Sequence, residues 1–299
     1  MSDTHMKKHI TCPACLALLL LISAGCATGP KPPVPRTAQS LTVMTYNLKF
    51  ASNTPPNAWP ARRPVMRDAI RSVAPDLFGT QEGLYTQLKE LAADLPEYQW
   101  IGTGRDGGSR GEFMAVFYRA DRLEPLEYDH FWLSDTPDVI ASSTWGNVCR
   151  RMCTWVRFRD RRSKQEFYFL NTHLDHQVQP AREKAAALIC KRADALKTTL
   201  PVLLVGDFNA NAGKNPAYDI LINAGFTDTW LTAAQRLGND HGTIHDWKGP
   251  AQAKERIDWI VARGPVTVDA TQIITYSRDA QYPSDHFPVV TWLRLPAKP

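Results

Sequence analysis

The chain predicts an α+β sandwich of two packed sheets with helices outside, and three observations carry that prediction. Short apolar runs rich in β-branched and aromatic residues recur along most of the sequence, while only a few segments keep helical spacing. From Leu41 onward, about 260 residues contain no second linker, repeat or low-complexity tract, a length that supports one sizeable core. Residues 41–299 therefore read as a single domain.

The first strand, Leu41 to Tyr46, is built of β-formers and stops at Asn47. A helix is expected from about Pro64, with Val65, Met66, Ala69, Ile70 and Val73 on one face and Pro75 ending it. Leu77 to Thr80 is a second strand that delivers Gln81 and Glu82, and Leu84, Leu88, Leu91 and Leu95 then recur at helical spacing until Pro96. Between Tyr98 and Leu133 short strands dominate, among them Phe113 to Tyr118 and Tyr128 to Leu133. Trp155 to Phe158 and Phe167 to Asn171 form a hairpin around the charged tip Asp160 to Lys164. Ala181 to Leu196 is an Ala-rich helix with Leu188, Ile189 and Leu196 as its stripe, and Val202 to Val205 is a short, fully buried strand. Pro216 to Ala224 is another helix, with Gly225 as its C-terminal cap. The last strands are Ile257 to Val261, Val266 to Thr275 and Val289 to Leu295.

Ahead of the domain, Lys7 and Lys8 precede an apolar stretch, Ala14 to Ile22, too short to span a bilayer, which takes about 20 residues. Ser23, Ala24 and Gly25 lead to Cys26, the pattern of an export signal with a cleavage site over residues 1–26. A Cys in that place resembles the bacterial lipobox, in which it is acylated and becomes the new N-terminus; Ser23 stands where that box more often has Leu. The alternatives are a plain secretory signal or an uncleaved anchor. Residues 27–40, rich in Pro, Gly and Lys, suit a tether. Ala27 and Thr28 follow Cys26 with no Asp, which by the same resemblance points to an outer-membrane lipoprotein facing the periplasm, and otherwise to a periplasmic or extracellular protein.

The formal charge of +5 is mild, and Lys7 and Lys8 would leave with the signal, so the dense basic stripe of a dedicated nucleic-acid binder is missing. Arg150, Arg151, Arg157, Arg159, Arg161 and Arg162 crowd one region, as a local anion site or as a solvated hairpin tip. Cys149, Cys153 and Cys190 allow one disulfide and one free thiol, and no CxxC pair in the mature part suggests zinc. Cys149 and Cys153, in an extended segment, lie more than about 10 Å apart, too far for a bridge. No metal role is expected for any of the three.

Chemistry collects where strands end. In an extended chain residues i and i+2 share a face, so Asp207 and Asn209 project together after the Val202–Val205 strand, either as a turn or as a site. Asn47, Glu82, His173, Asp258 and the pair Asp285-His286 also follow or punctuate apolar runs. Each has a plain structural reading alone, but Asp258 lies between Ile257 and Trp259 and needs a partner there. Together the types make one chemistry: Glu82, Asp285 and the Asn47 amide oxygen are hard ligands suited to magnesium or manganese, and histidines and amides suit phosphate oxygens.

Thr45-Tyr46-Asn47, Gln81-Glu82, Gly111-Glu112 leading to Phe117-Tyr118, Asn171-Thr172-His173, Gly206-Asp207-Phe208-Asn209, Arg256-Ile257-Asp258 and Ser284-Asp285-His286 stand in the order of a known family. By these motifs the chain resembles the endonuclease/exonuclease/phosphatase superfamily over Leu41 to Leu295, and Phe131-Trp132-Leu133-Ser134, Thr172 to His176 and Arg182 resemble its exported bacterial metal-dependent hydrolase branch. The resemblance implies a four-layer α/β/β/α sandwich of two mostly antiparallel sheets and a Mg2+- or Mn2+-dependent phosphoester hydrolase. It implies Asn47, Glu82 and Asp285 as metal ligands, Asp207 as the residue that orients or deprotonates the attacking water, and Asn209 as a holder of water or phosphate oxygen. It pairs His286 with Asp258 and His173 with Glu112 as two charge-assisted donors, and makes Arg151 and Tyr118 phosphate contacts. Asp175, His176 and Arg182 read either as pocket lining or as a polar loop and helix start; Trp59, Arg62, Trp145 and Thr243 read as rim or as packing. Substrates within reach of this reading are small phosphorylated molecules, lipid head groups and nucleic acids, hydrolysed by a monomer tethered to a membrane through its N-terminal lipid. The competing functions are a secreted nuclease and a catalytically inactive surface-binding module.

Overall fold

In the computed structural model, which describes residues 34–35, 37–238 and 240–296, the fold opens with β1 (Ser40–Asn47), α1 (Trp59–Val73), β2 (Leu77–Gln81), β3 (Gly83–Leu84) and α2 (Tyr85–Asp94). There follow β4 (Tyr98–Ile101), β5 (Glu112–Phe113), β6 (Val116–Arg119), β7 (Leu123–Trp132), β8 (Met152–Asp160) and β9 (Glu166–His173). The second half contains α3 (Gln179–Ala195), β10 (Val202–Asp207), α4 (Pro216–Asn223), β11 (Thr227–Asp228), α5 (Thr229–Thr232), β12 (Gln235–Leu237), β13 (Asp258–Arg263), β14 (Thr267–Ile273) and β15 (Val289–Arg294). The expected export signal, Cys26 and most of the tether lie outside the described residues.

Two large sheets carry the fold among the described residues: seven strands in the order β12-β14-β15-β1-β2-β6-β4, and six in the order β11-β13-β10-β9-β8-β7. Pairings are mostly antiparallel, with parallel neighbours at β1/β2, β9/β10 and β12/β14. Inward residues such as Val43, Leu77, Val116, Phe158, Phe169, Leu203, Val205 and Ile260 form the core between the sheets. The opposite face of the first sheet packs Met66 and Ile70 of α1 and Leu88 and Leu91 of α2, while that of the second packs Ala185 and Ile189 of α3 and Leu221 of α4. These are the four layers the sequence predicts, each sheet burying both faces.

Near the site the two sheets approach unusually closely. A Cβ on Gly79 would stand 2.6 Å from Val205 Cγ2, so only glycine fits that crossing. Beside it the Asn171 amide donates to the Thr80 and Ala115 carbonyls, both at 2.9 Å, and accepts from Gln81 Nε2 at 2.7 Å. This polar bridge, in which every polar atom of the Asn171 side chain is paired, fixes the sheets against sliding where β1, β2, β9 and β10 all end.

The helix expected from Pro64 begins at Trp59, because Pro60 fits the first turn, where its missing N–H costs nothing, while the apolar stripe starts only at Val65. Helix α3 buries mainly small residues, Ala181, Ala185, Ala186 and Ala193 with Ile189 and Cys190; Leu188 and Leu196 sit at the edge of the cluster. The arginines of the β8–β9 hairpin pair with carboxylates, Arg157 and Arg159 with Glu166 and Arg161 with Glu124, which favours the hairpin reading over an anion site there. Cys149, Cys153 and Cys190 are free thiols.

Candidate active site

The strand registers bring the predicted residues level. Asp207, the last residue of β10, is paired with His173 at the end of parallel β9 and with Asp258 at the start of antiparallel β13. Asn47 ends β1 beside Gln81 of β2, so Glu82 emerges next to it. Lys49, Glu82 and Asn209 turn off their strands with φ of 51°, 61° and 48°, left-handed backbone that costs a non-glycine residue about 1 kcal/mol or more and clusters at functional sites.

Asp207 is the centre. Its Oδ2 accepts from Asn47 Nδ2 at 2.9 Å and lies 3.4 Å from His173 Nε2 and 3.9 Å from His286 Nε2, while its Oδ1 accepts from the Asn209 N–H at 2.9 Å. Burial and the Asp258 carboxylate opposite push its pKa up to about 7, against the pull of His286 and of the Asn209 and Asn47 donors. His286 Nδ1 is 2.9 Å from Asp258 Oδ2. Burial alone would neutralise that ring, but Asp258, Asp207 and Asp285 hold it as imidazolium, its pKa raised to about 10. The partner that Asp258 needed among its apolar neighbours is thus His286.

His173 departs from expectation. Burial, then Arg151 and Arg105, hold its pKa well below the ordinary value, so it is a neutral imidazole that accepts from Asn209 Nδ2 at 3.0 Å. Its Nδ1 is buried and has no partner among the described residues. Glu112 is not its partner: both Glu112 oxygens are taken by Arg105, at 2.6 and 3.0 Å.

A cavity of about 300 Å³ opens over these residues, lined by Glu82, His173, Asp207, Asn209, Asp285 and His286 together with Lys49, Arg105, Glu112, Cys149, Arg151 and His176. Arg151 is buried, its Nη2 donates to His176 Nδ1 at 3.0 Å, and its Nε and Nη1 have no partner among the described residues. A guanidinium left so bare in the interior attracts an anion into the adjoining space.

Two groups here could hold a cation: Glu82, His173 and Asp207, and Asp207, Asp258 and His286, each with its ligand atoms within 4.8 Å of one another. Asn47 Nδ2 reaches Glu82 Oε1 at 3.0 Å, while Asp285 stands apart from both groups, its Oδ2 2.9 Å from Lys49 Nζ. The Asn47 oxygen, expected as a ligand, instead accepts from the Lys49 N–H at 3.0 Å, and its NH2 faces Glu82 and Asp207; those two carboxylates, with Asp285 lining the same partly desolvated cavity, fit a hard divalent ion, whose charge would offset theirs.

Other predicted substrate groups lie elsewhere. Tyr118 belongs to the core between the sheets, its ring against Phe158 and its hydroxyl donating to Gln99 at 3.0 Å. Asp175 accepts from the N–H groups of Val148, Gln177 and Val178, and Arg182 binds the Asp175 carbonyl and Gln179 Oε1, so both build the entrance to α3. Of that trio only His176 lines the cavity. Trp59 donates to Glu90, Trp145 to Asp135, and Thr243 accepts from the N–H groups of Ile257 and Asp258; none of the three lines it. Arg62 is fully buried and donates to the carbonyls of Leu48, Lys49, Phe50, Asn57 and Pro283, pinning the loops that carry Lys49 and Asp285. Sequence spacing missed Lys49 and Arg105, since nothing local separates them from solvated basic residues.

Residues 44–286 match the Endonuclease/Exonuclease/phosphatase family. The chain belongs to that family. As a member of it, the protein is a hydrolase of phosphoesters. The crystal structure of an endonuclease/exonuclease/phosphatase family protein from Bacteroides thetaiotaomicron is 35% identical, covers 85% of this chain and 97% of that one, and has a TM-score of 0.81. A mannosyl-6-phosphatase of Bacteroides thetaiotaomicron VPI-5482 is also 35% identical, with coverage of 85% and 99% and a TM-score of 0.80. The human nocturnin catalytic domain, with bound sulfate, shares the fold at 18% identity, 89% and 99% coverage and a TM-score of 0.67. A search of curated proteins finds no match to the sequence.

Proposed function

We propose that the protein is an exported, Mg2+- or Mn2+-dependent phosphoester hydrolase that acts by in-line attack of water on phosphorus. The observation that carries the reading is the Asp207 carboxylate, poised near pKa 7 between Asn47, Asn209 and two histidines in a cavity also lined by the cations Lys49, Arg105 and Arg151. A base with a pKa near neutrality accepts a proton at working pH without losing its driving force. Asp207 takes the proton of the attacking water as the new P–O bond forms and the bond to the leaving oxygen breaks. Asn209, held by His173, orients that water or a phosphoryl oxygen. His286, kept protonated by Asp258, donates to a phosphoryl oxygen, and Arg151 with Arg105 draws the phosphate in. Asn47, Glu82 and Asp285 would hold the ion, which supplies charge neutralisation at phosphorus and a more acidic water.

The relative that is a mannosyl-6-phosphatase supports a phosphomonoester among the possible substrates. A nuclease reading has its own support: a groove of about 780 Å³ lined by Lys214, Arg236, His241 and Lys254 runs beside Asn211 and Ala212, next to the catalytic loop, and suits a phosphate backbone. Export and acylation at Cys26 rest on the Lys7-Lys8, Ala14–Ile22 and Ser23–Cys26 pattern; no described helix is long and apolar enough to cross a membrane.

The test is hydrolysis of para-nitrophenyl phosphate, its bis ester, mannose 6-phosphate and plasmid DNA by the purified protein with Mg2+, with Mn2+ and with EDTA. Turnover of at least one, abolished by EDTA and restored by the ion, is expected; activity indifferent to EDTA overturns the metal reading, and cleavage of DNA alone selects the nuclease.

A further inference from the structure

We infer that Lys49 is the resident cation of the metal site. Its ammonium holds the Asp285 carboxylate until a divalent ion takes that carboxylate over, and the displaced ammonium then faces the phosphate in the same cavity. This deepens the proposed function and rests on its reading of Asn47, Glu82 and Asp285 as metal ligands.

Lys49 Nζ stands 2.9 Å from Asp285 Oδ2, and Lys49 lines the cavity together with Glu82, Asp207 and Asp285. Its backbone is held in a conformation a lysine would not choose. The φ of 51° is maintained by three hydrogen bonds: the Lys49 N–H donates to Asn47 Oδ1 at 3.0 Å, and its carbonyl accepts from Arg62 Nη2 at 3.1 Å and Gln87 Nε2 at 3.0 Å. Arg62 also binds the Pro283 carbonyl, two residues before Asp285, so one buried guanidinium sets both ends of the ion pair. The pair is not a surface contact: the Asp285 side chain is only 7% exposed, so the ammonium is directed onto a buried carboxylate of the cavity.

The chemistry follows from charge. A divalent ion on Asp285 and an ammonium on the same carboxylate would stand a few ångströms apart in a partly desolvated cavity, and their repulsion makes the two occupants exclusive. The lysine side chain is 33% exposed and hangs on a flexible four-carbon stem, so its head swings while the pinned backbone stays. Taking up the ion and presenting a cation to the substrate are then one event, and a cavity without its ion offers the phosphate one cation fewer.

The experiment compares wild type, Lys49→Met and Lys49→Arg as purified whole chains by titration calorimetry, first with Mg2+ alone, then with inorganic phosphate added to the Mg2+-loaded protein. Lys49→Met is expected to bind Mg2+ at least roughly threefold more tightly and phosphate at least roughly threefold more weakly, while Lys49→Arg keeps phosphate affinity within about twofold. The opposite signs separate this from damage to the fold, which weakens both. Unchanged or weaker Mg2+ binding by Lys49→Met, or unchanged phosphate binding, overturns the inference and leaves the metal reading standing. A wild type that takes up no divalent ion overturns both.

Discussion

Asp207 and Asp258 face each other across β10 and β13, two buried carboxylates on directly opposed residues, an arrangement that destabilises a sheet. A site that keeps such a pair sacrifices stability for reactivity. Asp207→Asn should lower kcat by about 10²- to 10⁴-fold, the range for loss of a general base, with little change in KM. The same substitution should raise the metal-free melting temperature by several degrees, about 1–2 kcal/mol of relief from like charge; a melting curve in EDTA measures it, and a fall would mean that Asp207 serves the fold. Arg151→Met belongs to the same class. Removing a buried, underpartnered guanidinium should leave the apo protein at least as stable, and without its charge-assisted hydrogen bond to phosphate KM should rise by roughly tenfold. Steady-state kinetics beside thermal melts read both. Of these residues the sequence exposes Asp207, Asp258, His173 and Asn209 through their places at strand ends, and Arg151 through resemblance. The neutrality of His173 was not legible, because it is imposed first by its burial between the packed elements and then by Arg151 and Arg105, neither of which is near it in sequence.

Strands β1, β2, β10, β13 and β15 stand close to where apolar runs place them, since each buries both faces and leaves a continuous signal, whereas β7 begins at Leu123, five residues before the expected Tyr128, because its middle is half-exposed or exposed and breaks the apolar run. The two- and three-residue strands β3, β5, β11 and β12 show no period to read. The end of the sandwich away from the site is tied by an ion pair no pattern announces. Arg122, before β7, binds both oxygens of Asp160 at the end of β8, each at 2.8 Å, and reaches the Ser40 carbonyl at the start of β1 at 2.6 Å, so it joins the two sheets. Arg122→Met leaves the buried Asp160 without its cation, held only by the Arg162 N–H and the Ser163 hydroxyl, and should cost about 3–5 kcal/mol, measured by urea unfolding. Burial works against the Asp160 carboxylate, yet Arg122, the Arg162 N–H and the Ser163 hydroxyl outweigh it and hold its pKa below the ordinary value. A depressed folded pKa means this stabilisation is complete above the unfolded carboxylate pKa of about 4 and is lost as pH falls through the folded value. Wild type should therefore lose stability below about pH 4 more steeply than Asp160→Asn, whose stability has no such step.

Across the whole molecule, His173, Asp207 and Asp258 sit on one line across three neighbouring strands, while Arg105 and Cys149 come from the long connections β4–β5 and β7–β8. The level row is a matter of register, so a one-residue slip would scatter it, and both sheets are locked against slipping by their buried faces and by the Asn171 bridge. The connections carry no such constraint. Reaction and recognition are thus separable inheritances: lineages can rewrite the loops over a fixed row and acquire new substrates without reinventing catalysis. A chimera in which residues 133–150 of this chain are replaced by the corresponding connection of the 35% identical mannosyl-6-phosphatase, with Arg151 kept, should keep turnover on para-nitrophenyl phosphate within about tenfold while its ranking of sugar phosphates follows the donor. The fold then works as a chassis, on which a niche changes what is eaten and leaves how it is cut untouched.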